Sequence, residues 1–210
     1  MNSARKPDRR AAETMFSVRF HGRGGQGVVT AAELLAAAAF SESKYAQAFP
    51  SFGSERMGAP VMSFCRISEK PIRTHEPVTE PDAILVQDPT LLNPASGAGD
   101  AGGQDLFAGL ALDGYVLVNS VTPVAAPGRL QIVPASALAR THLGRPLPGA
   151  PMLGAFAALT GAVSIDSVAA AISDRFRGAV ADGNIAAARA AYTYVLNERE
   201  AQGKVLTSHA

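Results

Sequence analysis

The sequence predicts a three-layer α/β/α domain built on a mixed, mostly parallel sheet, with a helical C-terminal part. Three observations support this fold class. An apolar strand from Phe16 to Phe20 runs into a glycine turn and then into an alanine-rich helix. Two short, continuous apolar runs, 83–86 and 115–118, have the profile of strands buried on both faces. From Met152 onwards the chain shows only helical patterns.

The first half of the chain contains most of the predicted strands. Val28 to Phe40 is rich in Ala and Leu, which predicts the first helix. Pro60 to Ile67 predicts a strand introduced by a proline, and we expect 71–74 to form its short hairpin partner. The stretch 93–104 is rich in Gly, Ala and Ser, which predicts a flexible loop.

The second half becomes helical after one more strand. Leu130 to Val133 predicts that strand, and the pattern over 135–143 predicts a helix. Glycines separate the helices that follow, at Gly161 and within 178–183. The three helices predicted in this part span 152–160, 165–176 and 184–200.

Length and composition predict a single domain that is partly buried in an oligomer. The 210 residues are 47% hydrophobic and 18% charged, so the chain can bury a sizeable core. We expect a single domain over 15–202, a mobile N-terminal tail over 1–14 and a C-terminal tail over 203–210. The charged fraction lies below the roughly 25% usual for soluble domains, which indicates burial in an oligomer.

The net charge and the apolar runs limit the partners. A formal charge of +1 argues against nucleic acid or a membrane surface as the main partner. No apolar run reaches membrane-spanning length, and 1–14 lacks the apolar segment of a secretory signal. We therefore expect a cytoplasmic protein.

The reactive residue types do not form a complete active site. Cys65 is the single cysteine, which excludes an internal disulfide and a multi-cysteine iron–sulfur or zinc site within this chain. The four histidines lack metal-ligand spacing, and no serine elbow or lysine P-loop is present. For His21, at the end of a strand, a structural hydrogen-bonded role is favoured over a catalytic one.

The glycine turn is the first candidate site. Its sequence, Gly22-Arg23-Gly24-Gly25-Gln26-Gly27, fits G-x-G-x-x-G, a spacing that brings backbone N–H groups and a helix N-terminus close to an anion. A dinucleotide site also needs a carboxylate about 20 residues further on. The stretch 44–49 contains none, so the turn predicts contact with a phosphate or a partner rather than NAD. Close packing of helix on strand is the alternative interpretation.

The segment Phe49–Pro60 is the second candidate site. It contains two prolines, two glycines and two phenylalanines, together with one pair of opposite charges. Its apolar side chains would be costly to expose, so we expect the segment to pack against another surface. The predicted partner contacts are Phe49, Phe52, Glu55, Arg56 and Met57; the alternative is that Glu55 and Arg56 are only solvated charges.

These two segments belong to a longer resemblance. Together with 82–88, 116–120 and 152–155, they resemble the gamma subunit of the 2-oxoacid:acceptor oxidoreductases, the group that includes pyruvate:ferredoxin oxidoreductase. The resemblance runs from about Phe16 to about Tyr194. The related indolepyruvate oxidoreductase subunit usually carries a Ser-Gln-Arg-Gly-Gly loop instead. The chain departs from the family pattern at Ser54 and Met57, where Pro and a second Arg are common, and at 150–151, near where Asn-Thr is common.

The resemblance implies a subunit that holds no cofactor alone. In this family thiamine diphosphate and magnesium are held by alpha and beta subunits, and iron–sulfur clusters lie in beta and delta parts. The complex converts a 2-oxoacid and coenzyme A to acyl-CoA and carbon dioxide, and passes two electrons to ferredoxin or to an NAD-reducing subunit. The phosphates of coenzyme A then suit the glycine turn, with Arg23, Gly24, Gly25, Gln26 and Gly27 as the expected contacts.

Two other classes of function stay open from the residues. One is a free-standing nucleotide-binding dehydrogenase, against which the missing ribose carboxylate counts. The other is a non-catalytic regulatory or scaffold module, against which the two motif segments count.

Overall fold

The computed structural model describes residues 15–51, 57–92 and 105–208, with side chains described as far as residue 202. The predicted tail 1–14 and the predicted loop 93–104 lie outside these residues. The elements, in chain order, are β1 (Met15–Arg23), α1 (Val28–Ser41), β2 (Tyr45–Pro50), β3 (Pro60–Ser68), β4 (Ala83–Val86), β5 (Tyr115–Asn119), β6 (Arg129–Val133), α2 (Ala135–Leu143), α3 (Gly149–Thr160), α4 (Ile165–Arg175) and α5 (Gly178–Ser208).

The six strands form one mixed sheet in the order β2-β3-β1-β4-β5-β6. Strands β1, β4, β5 and β6 pair in parallel, whereas β3 pairs antiparallel with both β1 and β2. The predicted mixed, mostly parallel sheet with a helical C-terminal part is confirmed. Because β1, β4 and β5 run in the same direction, the loops that follow them lie at one edge of the sheet.

The two faces of the sheet are covered by different structures. Strand residues alternate between faces, so Val18, Phe20 and Leu85 lie on one face and Ile84 and Val86 on the other. The first face shares a core with residues of all five helices. The second face is covered by the 3₁₀ turn Pro89–Leu92 and by loop residues, which include Phe107, Leu110, Val124 and Ala126.

Three local predictions differ from the structure. Residues 71–74 form no strand, because β3 already pairs on both sides with β1 and β2 and offers no free edge. The predicted loop 49–60 begins inside β2, which continues to Pro50 opposite Ser63. The stretch 178–183 belongs to α5, because Gly183 permits close packing: a Cβ there would lie 2.7 Å from the His142 carbonyl oxygen.

None of the helices in the described ranges is long and apolar enough to cross a membrane.

Candidate functional site

The candidate site lies where the carboxyl ends of β1 and β4 meet. The chain leaves β1 towards α1 on the helix-covered face, whereas after β4 it turns through Pro89–Leu92 onto the opposite face. Neighbouring parallel strands whose connections depart to opposite faces leave a crevice between them. In open α/β sheets such crevices are the preferred places for ligands.

The glycine turn builds one wall of this crevice. A Cβ on Gly22 would lie 2.6 Å from Val28 Cγ2 and 3.0 Å from Gln26 Oε1, so only glycine lets the start of α1 pack this close to β1. Gly25 and Gly27 have φ angles of 92° and 73°, which side-chain-bearing residues rarely adopt. The turn therefore depends on its glycines for both packing and conformation.

A polar network fills the crevice. Gln26 Nε2 donates to Asp88 Oδ2 at 2.8 Å, and the Arg23 main-chain N–H donates to Gln26 Oε1 at 2.8 Å. Arg23 Nε lies 3.3 Å from Asp88 Oδ2, and Arg23 Nη2 donates to Thr90 Oγ1 at 2.9 Å. The network holds the end of β1, the start of α1 and the turn after β4 in one arrangement.

Asp88 carries a negative charge at neutral pH in this network. Burial alone would raise the pKa of Asp88, but hydrogen bonds from Thr90 and Gln26, together with the Arg23 guanidinium, lower it overall. The Thr90 hydroxyl donates to Asp88 Oδ1 at 2.6 Å. The Arg23 charge is thus balanced within the chain.

The second motif segment lies against the first. Gly24 N donates to Ala59 O at 2.9 Å, Gly58 N donates to Gly24 O at 3.2 Å, and Arg23 Nη1 donates to Gly58 O at 3.1 Å. Met57 forms a parallel bridge with Gly24, and its side chain is 86% exposed. The structure therefore brings Met57 together with the glycine turn.

The other residues of that segment separate into two groups. Phe49 lies on β2, with its ring centroid 5.2 Å from that of Phe64 and with the Arg66 guanidinium 5.1 Å from its ring. It packs against its own sheet. Phe52, Glu55 and Arg56 lie outside the described residues.

Sequence reasoning did not assign Asp88, Thr90 or Asn119 to the site. Asn119 Nδ2 donates to the Gln87 carbonyl at 2.8 Å, and its Oδ1 accepts from Ser136 N at 2.9 Å, so it ties β4 and β5 to α2. The available signal was the position of Gln87-Asp88 and Asn119 directly after the apolar runs 83–86 and 115–118. Such positions meet at one edge of a parallel sheet.

His21, near the site, and Cys65, further along β3, are both buried in the fold. Arg19 Nε donates to His21 Nε2 at 3.1 Å, and burial, reinforced by the Arg19 charge, lowers the pKa of His21 to about 3. His21 is therefore neutral and structural. Burial raises the pKa of the Cys65 thiol, which removes its reactivity at neutral pH. Among the described residues, no group of three or more His, Cys, Asp and Glu is placed to hold a metal ion.

The fold and the site define an α/β chain in which two motif segments meet at the carboxyl edge of a mixed sheet. The sequence model of the pyruvate ferredoxin/flavodoxin oxidoreductase family matches residues 17–194, so the chain belongs to that family.

Three relatives are matched over nearly their whole length. The chain is 48% identical to the pyruvate synthase subunit PorC of Methanothermobacter marburgensis over 179 residues, which is 85% of this chain and 96% of the relative. It is 47% identical, with the same coverage, to the pyruvate/ketoisovalerate oxidoreductases common subunit gamma of Pyrococcus abyssi. The crystal structure of the pyruvate oxidoreductase subunit PORC of Thermotoga maritima superposes with a TM-score of 0.72 at 36% identity, covering 85% of this chain and 96% of that one.

These comparisons confirm the predicted recognition as the gamma subunit and the assignment as a non-autonomous part of an oxidoreductase. They give no support to a free-standing dehydrogenase or to the indolepyruvate oxidoreductase subunit.

Proposed function

We propose that this chain is the gamma subunit of a cytoplasmic complex that oxidatively decarboxylates a 2-oxoacid. The reaction consumes the 2-oxoacid and coenzyme A and yields acyl-CoA and carbon dioxide. Two electrons leave through iron–sulfur clusters to ferredoxin or to an NAD-reducing subunit. The observation that carries this proposal is the match to gamma subunits over about 96% of their length.

In our proposal the partner subunits carry out the decarboxylation and the electron transfer. Thiamine diphosphate, magnesium and iron–sulfur clusters are held by alpha, beta and delta-type subunits. The single cysteine supports this division, because Cys65 is fully buried on a core strand and its thiol pKa is raised. A thiolate that is neither exposed nor easily formed is unsuited to bind an iron–sulfur cluster.

For the glycine turn we propose contact with the nucleotide end of coenzyme A. Gly25 and Gly27 are exposed, and α1 begins directly after them, so the N–H groups of its first turn lie at the crevice. The N–H groups of Gly24 and Gln26 already donate to Ala59 O and Arg23 O, so in our proposal these two residues shape the turn and the main-chain N–H groups of Gly25 and Gly27 face the phosphate. Since Asp88 balances the charge of Arg23, that side chain would contribute mainly by fixing the turn and only partly by direct attraction.

For the segment 49–60 we propose docking against the thiamine-binding subunits. The exposed Met57 at the crevice rim supports this, since a large apolar side chain in that position is typical of an interface. Phe52 and Arg56 are the proposed apolar and charged anchors, with Phe49 and Glu55 beside them.

The test is to purify the complex through a tag on this chain and to assay a panel of 2-oxoacids with coenzyme A and ferredoxin or NAD. We expect copurified partner subunits, coenzyme A-dependent turnover, and no turnover and no iron in the chain expressed alone. Stoichiometric iron in the isolated chain, or NAD-dependent turnover by it, would contradict the proposal.

A further inference from the structure

The amide of Gln87 is a buried polar group at the candidate site without a hydrogen-bond partner. Gln87 directly follows β4 and is 1% exposed. Its main chain is fixed on both sides, because Gln87 N donates to His21 O at 2.7 Å and Asn119 Nδ2 donates to Gln87 O at 2.8 Å. Its side chain is not: neither Nε2 nor Oε1 of Gln87 makes a hydrogen bond.

A buried amide without partners is costly, because it has lost its hydrogen bonds to water and gained none in the protein. Both ends of the Gln87 amide are out of contact with solvent, so a bridging water has no room beside them. The nearby Gln26 shows the usual outcome, since its Nε2 donates to Asp88 Oδ2 and its Oε1 accepts from Arg23 N. Gln87 therefore differs from the other glutamine of the site in having both ends of its amide unpaired.

The Gln87 side chain lies beside the glycine turn, at the start of α1. Strand residues alternate between faces, so Gln87 follows Leu85 onto the helix-covered face of the sheet. A Cβ on Gly22 would lie 3.3 Å from Gln87 Cβ and 2.6 Å from Cγ2 of Val28, the first residue of α1. The unpaired amide and the N-terminus of α1 thus belong to one crevice, and Gly22 places no side chain between them.

The chemistry of the amide limits the ligand group that can pair with it. A carboxamide presents N–H donors and a carbonyl acceptor side by side, so it needs a partner that both accepts and donates. A phosphate group only accepts and would leave Gln87 Oε1 unpaired. An amide of the ligand satisfies both ends. In coenzyme A the phosphates lie at the nucleotide end, whereas the pantetheine arm that leads to the thiol carries amides. The phosphates therefore suit the glycine turn, and an amide of the arm suits Gln87.

We propose that Gln87 binds an amide of the pantetheine arm of coenzyme A. This rests on the proposed function, which supplies coenzyme A as the ligand. Without ligand the Gln87 amide stays buried and unpaired; with ligand it turns about its own side-chain torsions into the crevice and exchanges a pair of hydrogen bonds with the arm. Binding then removes a cost that the free chain carries, which strengthens the complex with coenzyme A. No covalent bond changes in this step, and Gln87 acts as a substrate-binding residue.

The first part of the test measures the stability of the isolated chain without ligand. Gln87→Met keeps the length of the side chain and removes the amide, so it should raise Tm by at least about 2 °C. The matched control is Gln131→Met. Gln131 is 7% exposed, and its Nε2 donates to Ile132 O at 3.0 Å, so removing this paired amide should not raise Tm. Thermal unfolding followed by circular dichroism measures both changes.

The second part measures ligand binding in the assembled complex with two competitive inhibitors. Desulfo-coenzyme A has the nucleotide and the arm but no thiol, whereas adenosine 3′,5′-bisphosphate has phosphates and no arm. Gln87→Met should raise the inhibition constant of desulfo-coenzyme A by about tenfold and leave that of the bisphosphate unchanged. Gln131→Met should change neither constant.

Three outcomes overturn the inference. A lower Tm for Gln87→Met would mean that the amide has a structural partner in solution. An unchanged inhibition constant of desulfo-coenzyme A would mean that the arm does not contact Gln87, and an equal loss for both inhibitors would place Gln87 at the phosphates. These outcomes are read against a wild-type complex that requires coenzyme A. If the wild-type complex turns over without coenzyme A, the proposed function itself fails and the inference fails with it.

Discussion

Asp88 is the residue on which the geometry of the candidate site depends. It accepts from Gln26 and Thr90 and lies 3.3 Å from Arg23, which in turn donates to Gly58. One carboxylate therefore links the glycine turn, the turn after β4 and the segment around Met57. Removing Arg23 changes the position of the glycine turn as well as its charge, and a test of ligand binding must separate the two effects.

The first prediction concerns coenzyme A. In the assembled complex, Arg23→Ala should raise KM for coenzyme A by about tenfold, because the turn loses hydrogen bonds that fix it, each worth about 1 kcal/mol, with little change in KM for the 2-oxoacid. Arg23→Lys keeps a positive charge at the turn and should lose less. Steady-state kinetics on complexes of verified subunit composition measure both constants. An unchanged KM for coenzyme A in an intact complex would leave the glycines with a packing role alone.

The second prediction concerns His21 and pH. The pKa of His21 falls from 6.5 to about 3 on folding, so between these values the unfolded chain binds a proton that the folded chain does not. Stability should therefore decrease as pH falls through this window, by about 2 kcal/mol between about pH 7.5 and about pH 5. Urea unfolding of the isolated chain at several pH values measures this change in the free energy of unfolding.

His21→Gln should flatten the slope of unfolding free energy against pH, whereas His142→Gln, at an exposed position, should retain it.

Glu42 affects stability in a lower pH range. Burial would raise the pKa of Glu42, but hydrogen bonds from Ser164 and Lys44 lower it to about 2. The stability that Glu42 contributes is lost only as pH falls below about 4.5. An unchanged slope in His21→Gln would show that other groups cause the loss.

For single residues, the sequence predicted the glycine turn and a structural role for His21, but not the side chains to which they are hydrogen-bonded. The apolar run 83–86 predicts a strand, and Asp88 follows the end of that strand closely. That β4 lies beside β1, and that Asp88 therefore faces Gln26, depends on strand order. Strand order results from long-range packing, which the local pattern of one sequence does not specify.

At the scale of elements, the helical layer depends on one close crossing. Helix α3 passes α5 so closely that a Cβ on Gly154 would lie 1.9 Å from the Ala188 carbonyl oxygen. The neighbouring residues Leu153, Phe156 and Ala191 are fully buried. The crossing is therefore set by the absence of a side chain at one position, and no flexible group can move to make room.

The third prediction follows from this crossing. Gly154→Ala should lower the free energy of unfolding by about 2 kcal/mol or more, because the clash is with backbone and outweighs the gain in helix propensity. Gly149→Ala, at the start of the same helix, should change it by less than about 0.5 kcal/mol, since the nearest atom to its Cβ would be Ala31 Cβ at 3.7 Å. Equilibrium urea unfolding measures the free energy of unfolding of both variants. If the two variants are equally stable, the close crossing of α3 and α5 is not what requires glycine at position 154.

Helix boundaries illustrate what a sequence pattern can and cannot predict. The pattern placed α2 at the observed residues and the start of α1 at Val28. It placed a break at 178–183, where α5 in fact begins. Gly183 was interpreted as a helix breaker, but its lack of a side chain serves the contact with His142 and Leu143 at the end of α2. A glycine that permits packing and one that ends a helix look identical in sequence.

At the scale of the whole molecule, the chain is a folded unit whose described part has an ordered crevice but no group of His, Cys, Asp and Glu placed to hold a metal ion. Its charge is nearly balanced, and its exposed apolar side chains include Met57 at the crevice edge. The low charged fraction predicted burial in an oligomer, and the family resemblance implied partner subunits. Where they dock depends on which loops share an edge, and only the strand order shows that.

The last prediction tests the proposed docking segment. Phe52→Asp should release this chain from the complex on a sizing column, because a buried aromatic anchor contributes about 2 kcal/mol or more and a carboxylate cannot take its place. The matched control is Phe40→Asp, since Phe40 is 74% exposed at the opposite edge of the sheet and should tolerate the charge without loss of assembly. Circular dichroism of each isolated variant should show a folded chain. If the Phe52→Asp complex elutes intact, the segment 49–60 does not anchor the subunit.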